Sequence, residues 1–221
     1  RAPRAFAVID PIKVVITNFP DIKFETLQAT NNPEKPSEGK RDILFTKEIY
    51  IERSDFIENP PKKFFRLGLE REVRLRFAYF IKCYSVLKNK DGEIKEIHCT
   101  YDPHTKGGSA PDGRKVKGTI HWVSVEHSIN AEIRLYDRLF NKVNPNDGGD
   151  YIKNINQNSF KVYKNAKLET SLKSPQNKVY QFERNGYFIQ DSKYSKSNKL
   201  IFNRAVSLRD SWAKILANKN K

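Results

Sequence analysis

Short runs in which apolar and charged residues alternate constrain the fold of this chain more than any other feature. In residues 131–135, AEIRL, every second side chain is apolar, and the two between them, Glu132 and Arg134, are charged. Successive side chains of a β-strand point to opposite faces, so this alternation predicts a half-buried strand. Similar runs recur between turn-rich segments and no segment keeps a helical period, so the sequence predicts a mainly β fold.

The other predicted strands share β-branched or aromatic residues and flanking turn signals. They cover residues 12–18, 43–45, 48–51, 64–69, 73–77, 80–87, 94–101, 119–123, 160–163, 179–183, 186–190 and 200–203. The segment Asn89–Gly92 is typical of a hairpin turn, whereas residues 30–40 and 102–113 are predicted to be loops. One short helix is expected, ending at Ala217 with Ser207 as its N-cap.

The charge of the chain indicates what kind of partner it has. Its 41 basic and 26 acidic residues give a net charge of +15. A balance this basic predicts a polyanionic partner such as nucleic acid. The alternative is a compositional bias towards Lys and Asn, which would produce the same charge on an ordinary surface.

Cysteine usage and the lack of apolar segments bear on the compartment. No apolar run approaches the roughly 20 residues of a membrane-spanning helix, and residues 1–4 lack the apolar core of a signal peptide. The two cysteines, Cys83 and Cys99, suit a reducing compartment. We therefore expect a cytoplasmic protein with no membrane partner. His98 and His104 lie near Cys99 but form no repeated ligand pair, so no metal site is expected.

Basic residues on predicted strands are the first candidates for binding. Arg74 and Arg76 flank Leu75, and the alternation of a strand places both guanidinium groups on one face. Such a pair binds a phosphate or a base edge, although an unbound face would tolerate it equally. The second candidates form a basic entry to the strand at 119–123, for which a solvated edge is the ordinary alternative. They are Arg114, Lys115 and Lys117.

Several longer phrases connect the chain to a known family. KVKGTIHWVS at residues 115–124 and AEIRLYDRLF at residues 131–140 closely resemble the anticodon-binding region of glutaminyl-tRNA synthetase, a class I aminoacyl-tRNA synthetase. So do VIDPIKVVITNFP at residues 8–20 and EREVRLRFAYFIK at residues 70–82. QFERNGYF and FNRAVSLRDSWAK follow near the end, so the resemblance covers almost the whole chain in the family's order.

The resemblance implies an architecture of two β-barrels, with the middle of the chain inserted as the distal barrel. Residues 1–60 and 150–217 would form the proximal anticodon-binding barrel, and residues 61–149 the distal one. Residues 218–221 would be a frayed tail. The Pro60–Pro61 pair marks the expected point at which one barrel passes to the other, because two prolines interrupt any regular element.

The resemblance also assigns anticodon contacts. The arginines matching Arg74 and Arg76 serve the first anticodon base and its phosphate. Arg4 and Gln181 match readers of the middle base, a uracil whose oxygens accept from arginine and whose N3 proton a carboxamide accepts. Arg66 matches a reader of the third base, a guanine whose O6 and N7 fit an arginine fork.

Some positions carry alternatives or depart from the family. Arg184 is predicted either to bind phosphate or to form a surface ion pair with Glu183 or another acid. Lys63, Phe65 and Glu34 stand where bacterial members carry Gln, Lys and Asn. We expect Lys63 and Phe65 to lie on the RNA surface and assign no base to the loop at residues 31–36.

KYSKS at residues 193–197 resembles the KMSKS signature with which class I synthetases bind ATP. The HIGH partner and the alternating β and α pattern that this signature requires are missing here, so an exposed turn is expected.

The resemblance implies that this chain binds the anticodon loop of the tRNA for glutamine. The full-length enzyme, expected to be eukaryotic, would ligate glutamine to that tRNA with ATP and Mg²⁺. Because the chain begins without Met, we interpret it as a piece of a longer protein that lacks the catalytic domain. We expect this piece to be monomeric, to bind no cofactor and to be inactive alone. The alternatives are the anticodon-binding domain of a eukaryotic-type glutamyl-tRNA synthetase and a free-standing barrel that binds ribosomal RNA.

Overall fold

The computed structural model describes residues 2–174 and 178–208. Its strands are β1 (Arg4–Ala5), β2 (Ala7–Val8), β3 (Pro11–Ile16), β4 (Glu25–Thr30), β5 (Lys40–Phe45), β6 (Glu48–Glu52), β7 (Glu72–Leu75), β8 (Phe80–Lys88), β9 (Ile94–Asp102), β10 (Thr119–Ile120), β11 (Trp122–Ser124), β12 (Ile129–Tyr136), β13 (Phe160–Leu168), β14 (Val179–Phe182), β15 (Gly186–Gln190) and β16 (Leu200–Val206). Short 3₁₀ turns occupy Pro36–Glu38, Arg53–Asp55, Pro103–Thr105, Tyr151–Asn154 and Thr170–Leu172. Most of the helix expected up to Ala217, and the tail at 218–221, lie outside the described residues.

The strands form two seven-stranded sheets and one hairpin. The proximal sheet has the order β1-β14-β15-β16-β12-β13-β2, and the distal sheet has the order β10-β7-β8-β9-β3-β6-β11. Strands β4 and β5 pair only with each other. The first strands of the chain therefore pair with strands near its end, and the middle is inserted between them.

Each sheet ends on the two halves of one interrupted strand. Phe6 separates β1 from β2, and His121 separates β10 from β11. Because the two halves are consecutive in the chain, each sheet closes on itself as a barrel. The predicted mainly β fold with two barrels is confirmed.

The two interruptions meet at the junction of the barrels. The Phe6 ring lies 6.3 Å from the His121 ring and 6.1 Å from the Trp122 ring, between centroids. His121 Nε2 lies 2.9 Å from the carbonyl oxygen of Ala7, so this nitrogen carries the proton and donates. Phe6, although it belongs to the proximal chain segment, packs into the hydrophobic core of the distal barrel.

Two predicted strands differ from the structure. Residues 64–69 form no strand beyond single bridges at Leu67 and Leu69, because the chain turns around the guanidinium of Arg71. That group donates to the carbonyl oxygens of Pro60 and Phe64 at 3.1 and 2.6 Å, which holds the segment in a loop.

The second predicted strand, residues 119–123, is broken at His121. Strand β4 was not predicted from the sequence. The hairpin of β8 and β9 and the loop after Asp102 are confirmed.

Sheet membership changes near residues 10 and 126. Strands β3 and β6 belong to the distal sheet, and β12 belongs to the proximal sheet. The predicted division into 1–60 with 150–217 and 61–149 concerns separate folding units, which sheet membership does not test. That division stays a prediction.

Candidate nucleic-acid interface

Arg4 and Gln181, predicted to share one base, are direct neighbours in the proximal sheet. Strand β1 runs parallel to β14 with Arg4 opposite Gln181, and the amide of Gln181 donates to the carbonyl of Pro3 at 2.9 Å. Both side chains are partly exposed, whereas the next residues, Ala5 and Phe182, are buried. Because alternate side chains of paired strands share a face, Arg4 and Gln181 point outward together.

Arg66 and Arg184 converge on one covered carboxylate. Arg184 Nη1 and Nη2 lie 2.5 and 2.6 Å from the two oxygens of Asp55, and Arg66 Nη1 lies 3.0 Å from Oδ1. The side chain of Asp55 is only 1% exposed, while those of Arg66 and Arg184 are 38% and 30% exposed. The ion pair predicted for Arg184, with Glu183 or another acid, is therefore made with Asp55, whose carboxylate is covered.

The electrostatics keep Arg184 charged. Burial lowers the pKa of its guanidinium, but the hydrogen bonds and charge of Asp55 raise that pKa by more, so the net shift is upward. Arg184 has a positive φ of 67°, at the turn between β14 and β15. This backbone conformation is uncommon for a residue with a side chain, and it directs the guanidinium across the junction towards Asp55.

Arg74 extends from β7 beside a covered aromatic ring. Its guanidinium carbon lies 5.3 Å from the centroid of the Phe80 ring, and its buried Nε has no hydrogen-bond partner. Arg114 lies over the same ring at 5.4 Å. Arg114 is engaged by three carboxylates, those of Glu72, Asp102 and Asp112, at 3.1, 2.5 and 2.6 Å. These contacts raise its pKa and leave it less free for RNA than Arg74.

Arg76 follows β7 and faces the proximal barrel. Its Nε lies 3.5 Å from Oε2 of Glu183, and its guanidinium carbon lies 4.6 Å from the centroid of the Phe77 ring. Neither Arg76 Nε nor the other oxygen of Glu183 has a hydrogen-bond partner. Since 3.5 Å exceeds a normal hydrogen bond between these groups, charge attraction is the main interaction.

The remaining predicted surface residues lie together on the distal barrel. Lys63, Phe65, Lys115 and Lys117 are all exposed. Lys117 Nζ lies 5.0 Å from the centroid of the Phe65 ring, which is a cation–π contact. An exposed ring beside lysines offers a surface on which an unstacked base can lie.

A cleft of about 1030 Å³ lies where the two barrels meet. Its basic lining residues are Arg66, Arg138, Arg184 and Arg204, and its acidic ones are Glu52, Asp55 and Asp137. The exposed ring of Tyr136 also lines it. Arginine forks with an aromatic ring suit a splayed nucleotide.

Comparison with known proteins identifies the family of this chain. Two family models, both described as "tRNA synthetases class I (E and Q), anti-codon binding domain", match residues 2–102 and 119–191. The chain belongs to this family of anticodon-binding domains. The resemblance found in the sequence is thereby confirmed.

Curated relatives of this anticodon-binding domain are bacterial glutamine–tRNA ligases. The ligase of Bradyrhizobium diazoefficiens is 51% identical over 98% of this chain, and that of Clostridium kluyveri is 50% identical over 99%. The ligase of Vibrio parahaemolyticus is 54% identical over 97%. The chain spans 38%, 39% and 38% of the lengths of these three proteins.

Two contact residues of the anticodon-binding domain, Asp55 and His121, were not found from its sequence, and Glu183 was expected to pair with Arg184 rather than with Arg76. Asp55 and Glu183 hold predicted arginines, and His121 lies 3.4 Å from Arg184 through Nδ1. The partners Asp55 and Arg184 are 129 positions apart, and no local pattern signals such a contact. The interruption of a strand at His121 likewise has no signature in the residues around it.

The structure also shows the segment at residues 193–197 and the loop at residues 31–36. Residues 193–197 form the predicted turn, between β15 and β16, in which Asp191 Oδ1 accepts from the amides of Lys193 and Tyr194. In the loop at 31–36, Asn32 Oδ1 accepts from the amide of Glu34. Across residues 2–174 and 178–208 no group of three or more His, Cys, Asp or Glu is placed to hold a metal ion. No helix in the part of the chain that the structure describes is long and apolar enough to cross a membrane.

Proposed function

We propose that this domain binds the anticodon loop of the tRNA for glutamine and is part of a longer, cytoplasmic enzyme that ligates glutamine to that tRNA with ATP. The observation that carries the proposal is the register of β1 with β14, which sets Arg4 beside Gln181 on one exposed face. The two residues come from opposite ends of the chain, so only the closed proximal barrel places them together.

The arginines and Gln181 divide the three bases between the barrels. Arg4 and Gln181 read the middle uracil from the proximal barrel. Arg66 reads the third base, a guanine, from the distal side of the cleft. Arg74 and Arg76 contact the first base and its phosphate.

Further basic residues contact the phosphates between the bases. Arg184 retains donors that Asp55 does not occupy, since a guanidinium has five N–H groups. Lys63, Lys115 and Lys117 attract the RNA backbone beside Phe65, while Arg114 serves mainly to hold the carboxylates around it. This proposal places the three bases along the junction of the two barrels.

Catalysis belongs to the rest of the enzyme. The chain spans about two fifths of its curated relatives, which are named as glutamine–tRNA ligases. We assign ATP and Mg²⁺ to the part of the enzyme outside this chain. The domain itself then binds as a monomer, without a cofactor, and does not activate glutamine.

Binding and turnover test the proposal separately. Fluorescence anisotropy with labelled anticodon stem-loops measures the affinity for the two glutamine anticodons, with a glutamate anticodon and an unrelated anticodon as comparisons. We expect preference for both glutamine anticodons and no glutamine-dependent pyrophosphate exchange by the chain alone. Equal affinity for all four stem-loops, or measurable exchange, would contradict the proposal, and preference for the glutamate anticodon would assign the domain to the glutamyl branch.

A further inference from the structure

Three consecutive residues of the proximal barrel each contact a different group of the distal barrel. They form the turn between β14 and β15, directly after Phe182. Glu183 faces Arg76 and Arg184 binds Asp55, as described above. Asn185 Nδ2 donates to Oε1 of Glu52 at 3.0 Å and to the carbonyl of Ala7 at 2.9 Å. This turn begins two residues after Gln181, so the segment that follows a reader of the middle base contacts Arg76 directly and is linked to Arg66 through Asp55.

At this turn each barrel supplies one carboxylate to an arginine of the other barrel. Glu183, a carboxylate of the proximal barrel, faces an arginine of the distal barrel, whereas Asp55, a carboxylate of the distal barrel, binds an arginine of the proximal barrel. Asp55 also binds Arg66 of its own barrel. Every arginine in this exchange is one that the proposed function assigns to RNA.

Burial separates the roles of the acids from those of the arginines. The side chains of Asp55 and Glu183 are 1% and 8% exposed, so the protein covers both carboxylates. A covered carboxylate without a cation carries a large desolvation cost, so each acid constrains the position of its arginine. The arginines remain partly open, and their remaining donors are available to a ligand.

We propose that Asp55 and Glu183 are positioning residues that fix the anticodon-contacting arginines across the junction, an inference that rests on the proposed function. Asp55 sets the guanidinium plane of Arg184 through two hydrogen bonds and holds Arg66 through an ion pair of 3.0 Å. Glu183 holds Arg76 by charge alone at the buried Nε, and the side chain of Arg76 as a whole remains 37% exposed for contact with RNA. The two carboxylates therefore act on different bases: Asp55 on the third through Arg66, and Glu183 on the first through Arg76.

Two neutral variants of near-identical shape test this division. Glu183→Gln is expected to weaken binding of both glutamine anticodons alike, on the order of tenfold, and to leave discrimination at the third base unchanged. Asp55→Asn is expected to lower discrimination between guanine and adenine at the third base by a similar factor. Both are measured by anisotropy with stem-loops that differ at one anticodon position.

A matched control separates positioning from a general loss of stability. Asp191 also binds an arginine, Arg134, at 3.2 Å and accepts from Asn203, but it contacts none of the predicted readers. Asp191→Asn is expected to lower the unfolding temperature without changing either discrimination. The inference is overturned if all three variants reduce every affinity by one common factor.

A measurement on the unmodified chain keeps the inference testable if a variant does not fold. Nitrogen-15 NMR reports rotation about the Cζ–Nη bonds of arginine. We expect the guanidinium of Arg184 to rotate slowly in the free domain and to keep that behaviour when RNA binds. Rapid rotation in the free domain would overturn the role of Asp55. If the unmodified chain shows no anticodon preference, the proposed function itself fails; if it shows one that the variants leave intact, only the positioning role fails.

Discussion

At the scale of single residues, the register of β1 with β14 sets Arg4 beside Gln181, and in the proposed function the two side chains share one base. Neighbouring strands lie about 4.8 Å apart, a distance over which two outward side chains reach the same planar ring. A guanidinium donates to the oxygens of uracil, while a carboxamide accepts from N3–H and donates back. Cytosine presents an amino group and an unprotonated N3 instead, so the same two side chains discriminate against it.

We therefore expect Arg4→Ala and Gln181→Ala each to cost about 1 to 3 kcal/mol of binding free energy, as for a good base contact. The loss should fall on stem-loops with uracil in the middle position and spare those with cytosine. A double-mutant cycle measured by anisotropy provides the check. If the two losses add independently and the preference for uracil survives, the residues do not share that base.

Arg74 and Arg76 are expected to behave differently, because a phosphate or an acceptor shared by both pyrimidines carries little sequence information. Arg74→Ala and Arg76→Ala should weaken binding of the two glutamine anticodons about equally. The comparison is a titration of both stem-loops with each variant. Arg53→Ala, which removes a half-exposed arginine that pairs with Asp10, is the control for loss of charge. A loss confined to one anticodon would show that these arginines read the base itself.

The sequence allowed the readers to be predicted but not the groups that hold them. Alternation placed Arg74 on an exposed face, and resemblance added Arg4, Arg66 and Gln181. Asp55 was not predicted, because an acid that binds an arginine in a distant turn looks the same in a sequence as any surface acid. Long-range partners of this kind are set by the closure of the barrels rather than by local pattern.

At the scale of strands and turns, period-two alternation predicted most elements, and it failed where backbone groups are captured by side chains. Residues 64–69 contain the apolar residues of a strand, but Arg71 binds the carbonyls that a strand would need. His121 similarly binds the carbonyl of Ala7 from another barrel. Alternation predicts which face of a strand a side chain occupies. It does not predict that a side-chain donor will hydrogen-bond to a backbone carbonyl oxygen.

The backbone at Gly118, directly before β10, is too close to Phe65 to accept a side chain. A Cβ on Gly118 would lie 2.2 Å from the carbonyl oxygen of Phe65, a contact that the backbone must move to relieve. We expect Gly118→Ala to reduce the free energy of unfolding by about 2 to 3 kcal/mol, measured by urea titration. Gly92→Ala is the matched control, since its φ is +81° with nothing within 4 Å, and it should cost about 1 kcal/mol. Equal effects of the two variants would contradict the expected clash.

The connection between β2 and β3, which is bound by the carboxylate of Glu52, should make the free energy of unfolding depend on pH in the acid range. Glu52 accepts from the amides of Ile9 and Asp10 at 2.8 and 3.0 Å. Burial raises the pKa of Glu52, but His121 and these two amides lower it by more, so its folded pKa lies below the ordinary 4.5. A depressed folded pKa stabilises the fold above the unfolded pKa, and this stability is lost as the pH falls through the folded value.

Glu52→Gln should therefore destabilise the domain at neutral pH and flatten the decline of its unfolding temperature in acid below about pH 4.5. Calorimetry between pH 3 and pH 7 gives the two curves. Glu126→Gln is the control, because the ion pair of this exposed acid within the described residues is a long one, 3.9 Å to His127. An unchanged acid slope for Glu52→Gln would show that the residue contributes no linked stability.

At the scale of the whole molecule, the net charge of +15 predicts that binding to RNA weakens as the salt concentration rises. Each phosphate neutralised on a single strand releases counterions and contributes about −0.7 to the slope of log K against log salt. If Arg184, Lys63, Lys115, Lys117 and the pair of Arg74 and Arg76 each neutralise one phosphate, the five contacts predict a slope of about −3.5. Titrations at several salt concentrations measure it, and Lys115→Ala with Lys117→Ala should reduce its magnitude by about 1.4. A slope near zero would exclude phosphate contacts as the basis of affinity.

The inserted topology also sets the order in which a growing polypeptide is able to fold. All strands of the distal sheet have been synthesised once β11 is complete, whereas β1 and β2 pair with β14 and β13, which are made much later. Strands β1 and β2 thus leave the ribosome before the distal sheet but find their partners only after that sheet is complete. Their length of two residues each suits this delay, since very short edges offer little to another unfinished chain. Arg4 therefore meets Gln181 only after β14 has been synthesised, long after the distal sheet is able to form.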